Sequence, residues 1–371
     1  MNLLIDGRAL QSNIRSGVPR VAEWLVKILA ENRGEHKVTL LTTGWKKVAL
    51  WPTAYGPRPV HLKIPNKLLH LSLFLFNWPK LDKLVTRQTH EKYDAVLLPN
   101  LHFFASEAPF ALVVHDLSFL ILPEFFSPFE RFVHALKRPL VKIKKAKWLF
   151  AVSNSTAQDI KQSSERTDVN IIDISESAQL KEKTTPVESK NRCDFVFIST
   201  TEPRKNLEST ILGYLGHIGL HGKGTVPCGF GDSPLCHEDR LLIIGAITKN
   251  GRAIQKKFAA HKNIIWLGKI DDEARNKLIG RAKAVIYPSR FEGYGLPIVE
   301  AQNLGTPVIT SNRTSMPEVA PDAILIDPHR PETITLALRA LAQNVSLRPT
   351  ACGPWPSSEE IAKKMYNVLS D

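Results

Sequence analysis

The sequence is poor in the features that mark secreted, membrane-spanning or metal-built proteins. Four cysteines in 371 residues are too few for a disulfide framework and fit a reducing compartment. No apolar run approaches the roughly 20 residues that cross a bilayer. The most apolar stretch, 68–76, is broken by His70 and Ser72 and closed by Trp78 and Pro79. The first residues, Met-Asn-Leu-Leu-Ile-Asp, carry no basic leader and meet Asp6 early, so no signal peptide is expected. No Asp-x-Asp pair occurs, which removes the most obvious carboxylate ligands for a metal-bridged diphosphate. Cys228, Cys236 and His237 offer at most three ligands without Cys-x-x-Cys spacing, so no metal site is expected there. No repeat of fixed period is present.

Acidic residues are also in deficit. Lys and Arg total 49 against 36 Asp and Glu, a formal charge of +13. That excess favours anionic partners: nucleic acid, a membrane surface or phosphorylated small molecules. A basic nucleic-acid-binding protein is one reading of the charge, but the chain lacks an aromatic-and-basic strand motif of the RNA-binding kind, and no nucleic-acid partner is expected.

With 43% hydrophobic and 23% charged residues the composition is globular, and the length suits two domains. Short β-branched runs alternate with amphipathic stretches, the pattern of parallel sheets covered by helices. Strands are expected at 2–5, 37–43, 95–98, 111–114, 148–152 and 169–174, then at 195–199, 241–244, 264–267, 284–287, 308–310 and 323–326. Helical patterns include 18–31, 129–145, 207–216, 272–281 and 296–303. The polar stretch 175–192 reads as a linker between two doubly wound domains. The domains are then 1–180 and 193–350, with 181–192 between them and a last helical segment, 351–371, long enough to cross back to the first domain. Ligands of such sheets bind beyond the carboxyl ends of the strands. The segment 219–239, rich in Gly, Pro and Cys, reads as a surface insertion.

Two loops carry chemistry. In Tyr287-Pro-Ser-Arg-Phe-Glu-Gly-Tyr-Gly-Leu-Pro-Ile-Val-Glu300 a buried strand ends, a glycine loop follows, and a helix starts near Leu296 with Pro297 in its first turn. Gly293 and Gly295 allow close backbone approach, and free N–H groups at a helix start suit an anion. Glu292 and Glu300 can each accept two hydrogen bonds from vicinal hydroxyls. The plain alternative is a strand-to-helix turn with two solvated glutamates. In the second loop, Phe195-Val-Phe-Ile-Ser-Thr-Thr-Glu-Pro-Arg-Lys-Asn206, two adjacent cations, Arg204 and Lys205, precede a helix that Asn206 can cap. They suit a diphosphate, or are simply an exposed basic pair. His115 follows the apolar run 111–114, where a lone His is more often structural. Between Pro128 and Trp148, Arg131, Lys137, Arg138, Lys142, Lys144, Lys145 and Lys147 face one acid, Glu130. This stretch reads equally as a membrane-surface helix or as an amphipathic helix with a solvated basic face.

Phe-Glu-Gly-Tyr-Gly-Leu-Pro-Ile-Val-Glu-Ala, followed by Gly-Thr-Pro-Val-Ile-Thr-Ser, resembles the Glu-x7-Glu signature of retaining GT-B glycosyltransferases of the fourth family, and Glu-Pro-Arg-Lys-Asn-Leu resembles its diphosphate motif. Gly268–Glu273 looks like its base-holding loop, His115-Asp116-Leu-Ser-Phe its His-Asp turn, and Ser16-Gly17-Val-Pro-Arg20 its first glycine loop. The resemblance covers nearly the whole chain and implies a GT-B fold, two Rossmann-like domains facing across a cleft. It implies that Glu292, with the amides of Gly293, Tyr294, Gly295 and Leu296, serves the transferred sugar and that His115 lies near the reaction centre. Glu300 would hold the ribose, Arg204 and Lys205 the diphosphate, and Ile270 the base, while Gly17 would let its loop close over the phosphates. The sequence departs from the pattern at Ser199, where the family usually has Gly, and at 172–176. The Pro-Arg-Lys-Asn variant with His-Asp-Leu-Ser-Phe most resembles bacterial mannosyl- and related transferases of surface polysaccharide assembly. This implies a retaining, metal-independent hexosyltransferase with no cofactor beyond its donor substrate, GDP-mannose. The acceptor would be a glycan or lipid-linked glycan, as in O-antigen synthesis, handled in the cytoplasm or on the inner face of the plasma membrane. A nucleotide-sugar-binding protein without transfer activity is the alternative.

Overall fold

Leucine, isoleucine and valine fill both faces of most strands, which suits a parallel sheet sandwiched between helices. The computed structural model describes residues 1–11, 17–45, 56–178, 192–221, 239–343 and 356–371. The chain divides into two units, Met1–Ser177 with Trp355–Asp371, and Ala178–Pro354.

The first unit holds β1 (Asn2–Asp6), β2 (Lys37–Thr43), β3 (Arg58–Leu62), β4 (Ala95–Leu98), β5 (Phe110–Val114), β6 (Trp148–Ala151) and β7 (Val169–Ile171). All pairs are parallel, in the order β3-β2-β1-β4-β5-β6-β7. Its helices are α1 (Gly17–Glu31), α2 (Asn66–Phe76), α3 (Leu81–Thr89), α4 (Ser118–Ile121), α5 (Pro128–Leu136), α6 (Pro139–Lys145) and α7 (Asn154–Ser164). Leu4, Leu41, Val96, Leu112 and Leu149 anchor one core of this sheet.

The second unit holds β8 (Phe195–Ile198), β9 (Leu241–Ile244), β10 (Ile264–Gly268), β11 (Ala284–Tyr287), β12 (Val308–Ser311) and β13 (Ile324–Ile326). These are also parallel throughout, in the order β10-β9-β8-β11-β12-β13. Its helices are α8 (Leu207–His221), α9 (Lys249–Lys257), α10 (Asp272–Arg281), α11 (Leu296–Asn303), α12 (Met316–Val319) and α13 (Pro331–Gln343). Phe195, Phe197, Ile243, Ile286 and Tyr214 form its core. The last helix, α14 (Ser358–Ser370), starts with a Ser357–Glu360 capping box. It belongs to the first unit, where the Tyr366 hydroxyl donates to the Leu29 carbonyl at 2.5 Å.

Chain order reverses once in each sheet, between β1 and β4 and between β8 and β11. Such switch points are where open parallel sheets take ligands.

The structure corrects several sequence expectations. The single helix expected at 129–145 is two, α5 and α6, separated by Arg138 with φ 49° and restarted by Pro139. Proline cannot continue a helix through its missing N–H, but it suits the first turn of a new one. Strand β3 escaped the sequence reading because Pro59 interrupts its pattern. Proline is tolerated there because β3 lies at the edge of its sheet. The strand expected at 169–174 stops at Ile171, and Ser175–Ala178 forms a 3-10 turn. Helix α8 runs on past Gly216, because Gly213 and Gly216 let it lie close against α13: a Cβ at Gly213 would come within 2.6 Å of Ile334. Most of the 175–192 linker, nearly all of the 219–239 insertion with Cys228, Cys236 and His237, and the start of 351–371 lie outside the described residues.

Candidate functional site

At the second unit's switch point, two loops meet. After β8 the chain turns through Pro203–Lys205 and reaches Asn206 in a left-handed conformation, φ 61°. The Asn206 amide donates to the carbonyls of Pro288 at 3.1 Å and Pro328 at 2.6 Å, which ties this loop to the one after β11. The Arg290 amide adds a bond to the Arg204 carbonyl at 2.8 Å. The two loops are therefore one rigid assembly, and it brings Arg204, Lys205 and Glu292 together.

Glu292 is buried, and its carboxylate is crowded with donors. Oε1 accepts from the Lys205 ammonium at 2.5 Å, the Ser289 hydroxyl at 2.6 Å and the Tyr287 hydroxyl at 3.0 Å. Oε2 accepts a long bond from Arg204 Nη1, at 3.5 Å. Burial alone would raise the carboxyl's pKa, but the charges of Lys205 and Arg204 and the bonds from Lys205 and Ser289 outweigh it and hold it at about 2. Burial, then the neighbouring Arg204, push the Lys205 pKa down against the pull of Glu292. Burial and Glu292 push the Tyr287 phenol well up, so it stays a neutral donor. Arg204 also bonds Glu202 at 3.1 Å and the Phe291 carbonyl at 3.2 Å, and keeps part of its side chain exposed.

Gly293, Tyr294, Gly295 and Leu296 follow directly. Gly295 stands at φ 104° as the residue before α11, a conformation glycine adopts without strain. The Ser315 hydroxyl pins the loop by donating to the carbonyls of Glu292 at 3.1 Å and Tyr294 at 2.8 Å. About one turn into α11, Glu300 is buried, and Arg275 Nη2 of α10 lies 3.7 Å from its Oε1. Arg275 also pairs with Asp272 at 3.0 Å. Ile270 sits half-buried between β10 and α10, whose start Asp271 caps by accepting from the Ala274 amide at 2.8 Å.

The second unit thus gathers Arg204, Lys205, Glu292, Gly293, Tyr294, Gly295 and Leu296 into one constellation, with Glu300 one face along. Sequence reasoning missed Tyr287, Ser289 and Arg275. Tyr287-Pro-Ser289 was readable as the strand's end, yet nothing in the spacing says that both hydroxyls turn onto Glu292. His115 and Gly17 belong to the first unit. His115 follows β5 and donates from Nε2 to the Pro99 carbonyl at 2.7 Å. Burial lowers its pKa more than that bond and Asp116 raise it. A carbonyl only accepts, so the neutral ring carries its hydrogen on Nε2 and leaves Nδ1 an acceptor. Gly17 is the first residue of α1 and is exposed.

Two seven- and six-stranded parallel sheets in this order define a GT-B fold. Solved structures agree. Sucrose-phosphate synthase from Thermosynechococcus elongatus superposes with a TM-score of 0.64 at 14% identity, covering 100% of this chain and 94% of that one. Anabaena HepE, solved in complex with UDP and glucose, gives 0.61 at 17%, covering 100% and 96%. WaaG, a glycosyltransferase involved in lipopolysaccharide biosynthesis, gives 0.61 at 14%, covering 99% and 95%. Residues 236–350 match the family model for glycosyl transferases group 1. That range includes Glu292 and Glu300 and stops short of Arg204 and Lys205. The chain therefore has a GT-B fold, and its residues 236–350 are similar to a group 1 glycosyl transferase domain.

Several curated relatives are named mannosyltransferases. O-antigen chain mannosyltransferase B of Escherichia coli is 32% identical over 158 residues, 42% of this chain and 38% of that protein. The serotype-specific mannosyltransferase WbdA of Escherichia coli is 24% identical over 370 residues, 89% of this chain and 42% of that protein. The chain thus spans about two fifths of the length of these relatives.

Proposed function

We propose that this protein transfers mannose from a nucleotide-diphosphate sugar, GDP-mannose, to a glycan or lipid-linked acceptor of surface polysaccharide synthesis. The anomeric configuration is retained and no divalent metal is needed. The single observation that carries the reading is the joining of Arg204, Lys205 and Glu292 at a switch point. Two cations suit a leaving diphosphate, and charge-assisted bonds contribute roughly 1.5–3 kcal/mol each. Glu292 Oε2, with one long bond, is the atom with capacity left for a sugar hydroxyl. Glu300 accepts the ribose hydroxyls in this reading, with Ile270 against the base.

In the reaction the bond from the anomeric carbon to the diphosphate breaks while the acceptor oxygen bonds the same face of that carbon. The acceptor's proton passes to the departing phosphate oxygen. Arg204 and Lys205 stabilise the charge that grows there. Glu292, kept ionised by its cations, orients the sugar and faces the positive charge that develops on its ring.

A membrane surface is the proposed site of action. Among the described residues no helix is long and apolar enough to cross a membrane. Leu68, Leu71, Leu75 and Phe76 of α2, with Trp78, are exposed, as are Phe129 and Phe132 of α5. Lys144 and Lys145 are exposed on α6. Lys142 is not part of that free face, since it is half-buried and its ammonium bonds the Lys137 carbonyl. The test is a panel of nucleotide sugars scored for transfer and hydrolysis, with the product anomer read by NMR and EDTA as one arm. Mannose transfer with retention in EDTA is expected. Binding without turnover on any donor and acceptor would favour a binding protein instead.

A further inference from the structure

The first unit has its own charged cluster at its own switch point. Asp6 ends β1, and Arg8 follows it. Arg8 Nε donates to Asp6 Oδ1 at 2.9 Å and Oδ2 at 3.1 Å, and Nη2 donates to Asp6 Oδ2 at 2.5 Å and to the Phe103 carbonyl at 2.8 Å. Both side chains are buried, at 3% and 1% exposure. Nη1 of the same guanidinium is buried and has no hydrogen-bond partner among the described residues. A native protein rarely leaves a buried charged donor unmatched, because the desolvation is then uncompensated.

Around Arg8 stand two histidines, which do not cancel its charge, and two lysines, which add to it. From the loop after β4 comes His102, and from α2 comes His70, their rings 6.4 Å apart. His70 also lies 5.6 Å from the Phe103 ring, whose carbonyl Arg8 holds. Lys137 and Lys142, from the turn between α5 and α6 and from α6, are close enough for their charges to act on this group. Burial, then Arg8, hold His102 down at about 3, so its ring is neutral; burial, then Arg138, Lys137 and Arg8, lower Lys142 to about 8. Among the described residues Asp6 is the one carboxylate acting on the two histidines, and Arg8 already occupies it.

We propose that Arg8 Nη1, His70, His102, Lys137 and Lys142 form a binding site for a phosphate group, the one carried by the acceptor. The partnerless Nη1 offers a directed donor, the two neutral rings offer hydrogen bonds, and the two lysines supply charge. Two lysines and an arginine against one engaged carboxylate match a phosphate's two negative charges better than a carboxylate's one. The switch point is where such a sheet takes its ligand. Assigning the phosphate to the acceptor rests on the transferase reading; the phosphate site itself does not, and it is measured with no donor present.

The experiment titrates the full chain with inorganic phosphate at constant ionic strength and follows the His70 and His102 ring resonances by NMR, each assigned by its His→Gln variant. Sodium chloride is the control. Both rings should shift saturably with phosphate and not with chloride. The Lys137→Gln/Lys142→Gln double variant, altered only at half-buried lysines, should weaken the apparent Kd at least tenfold. Arg8→Lys should do the same if it folds, and the lysine variant decides if it does not. Two further arms identify the source. Phosphatidic acid in phosphatidylcholine vesicles, binding at least tenfold tighter than glucose 1-phosphate, assigns the site to a lipid-borne phosphate; equal binding assigns it to a soluble phosphoester. No saturable shift with any phosphate, the same shift with chloride, or a shift unchanged in the double lysine variant would each overturn the site.

Discussion

The two switch points place cations at equivalent positions of two parallel sheets but treat them differently. In the second unit Lys205 and Arg204 share the buried carboxylate of Glu292, whose pKa they hold at about 2. In the first, Arg8 is held by Asp6 along one edge and left unmatched at Nη1. A cation whose partner is built in can stay folded and charged with its site empty. The carboxylate that stabilises it must then share it when an anion arrives. A cation with an unmatched donor keeps capacity for a ligand and bears a desolvation cost until one binds. The difference suits a diphosphate that must be bound and then released as a leaving group at one point, and a phosphate that is only held at the other.

The comparison breaks most sharply at Glu292. Glu292→Gln keeps the volume and removes the charge, leaving the second unit's cations as unbalanced as the first's. Transfer should fall by about 100-fold or more, the order seen when a preorganised charge at a reacting centre is lost. Nucleoside diphosphate affinity should hold or rise, because a competitor for Lys205 and Arg204 is gone. Calorimetry beside steady-state rates checks both, and affinity that falls in step with the rate would contradict the sharing.

Glu300 gives the next largest effect. Ribose is common to donor and product, so Glu300→Ala should weaken nucleoside diphosphate and donor alike, by roughly tenfold, as uniform binding. Removal of Glu300 also strips Arg275 of a partner 3.7 Å away. Arg275→Ala therefore serves as the control for an effect passed through that pair. A loss in donor affinity alone would move Glu300 to the sugar.

Acid should separate the two regions by stability. Glu292 has a folded pKa of about 2 against an ordinary 4.5. Its contribution is therefore complete above pH 4.5 and is lost as pH falls toward 2. Melting temperatures of the wild type should drop through that window, and Glu292→Gln, already destabilised, should show a shallower drop. An identical pH profile in both would mean that Glu292 is not the group titrating.

The smallest effect concerns the surface. Lys144→Glu with Lys145→Glu should reduce binding to anionic vesicles at low salt, by about 1 kcal/mol per lysine near the surface. Phe129→Ser with Phe132→Ser should reduce it even at high salt, where charge is screened. Co-sedimentation distinguishes the two, and a wild type that ignores anionic vesicles would leave both faces merely solvated.

Much of the fold was legible because parallel strands buried on both faces leave unbroken apolar runs. The runs at 37–43, 95–98, 241–244 and 284–287 match β2, β4, β9 and β11 residue for residue. Legibility failed where a single proline decides the outcome from its surroundings: Pro59 hides an edge strand and Pro139 splits a helix. At the site, the glycines, glutamates and basic pair were visible as spacing. That Lys205 points inward to Glu292 was not, nor that Tyr287 and Ser289 complete the carboxylate's shell, because those contacts span loops more than 80 residues apart or depend on which way a hydroxyl turns. The Arg8 cluster was unreadable for the same reason: Asp6-Gly-Arg8, His70, His102 and Lys137 become one group only when α2 and the loops after β1 and β4 fold together.

The most direct test of the account is nucleoside diphosphate binding by calorimetry in Arg204→Gln and Lys205→Ala, with melts confirming that each variant folds. Arg204→Gln alters a partly exposed side chain, so it tests binding with little risk to the fold. Loss of a charged bond worth roughly 1.5–3 kcal/mol should weaken binding tenfold or more in each. Unchanged affinity in both folded variants would mean that the Arg204–Lys205–Glu292 cluster is only a structural ion pair and that the diphosphate binds elsewhere.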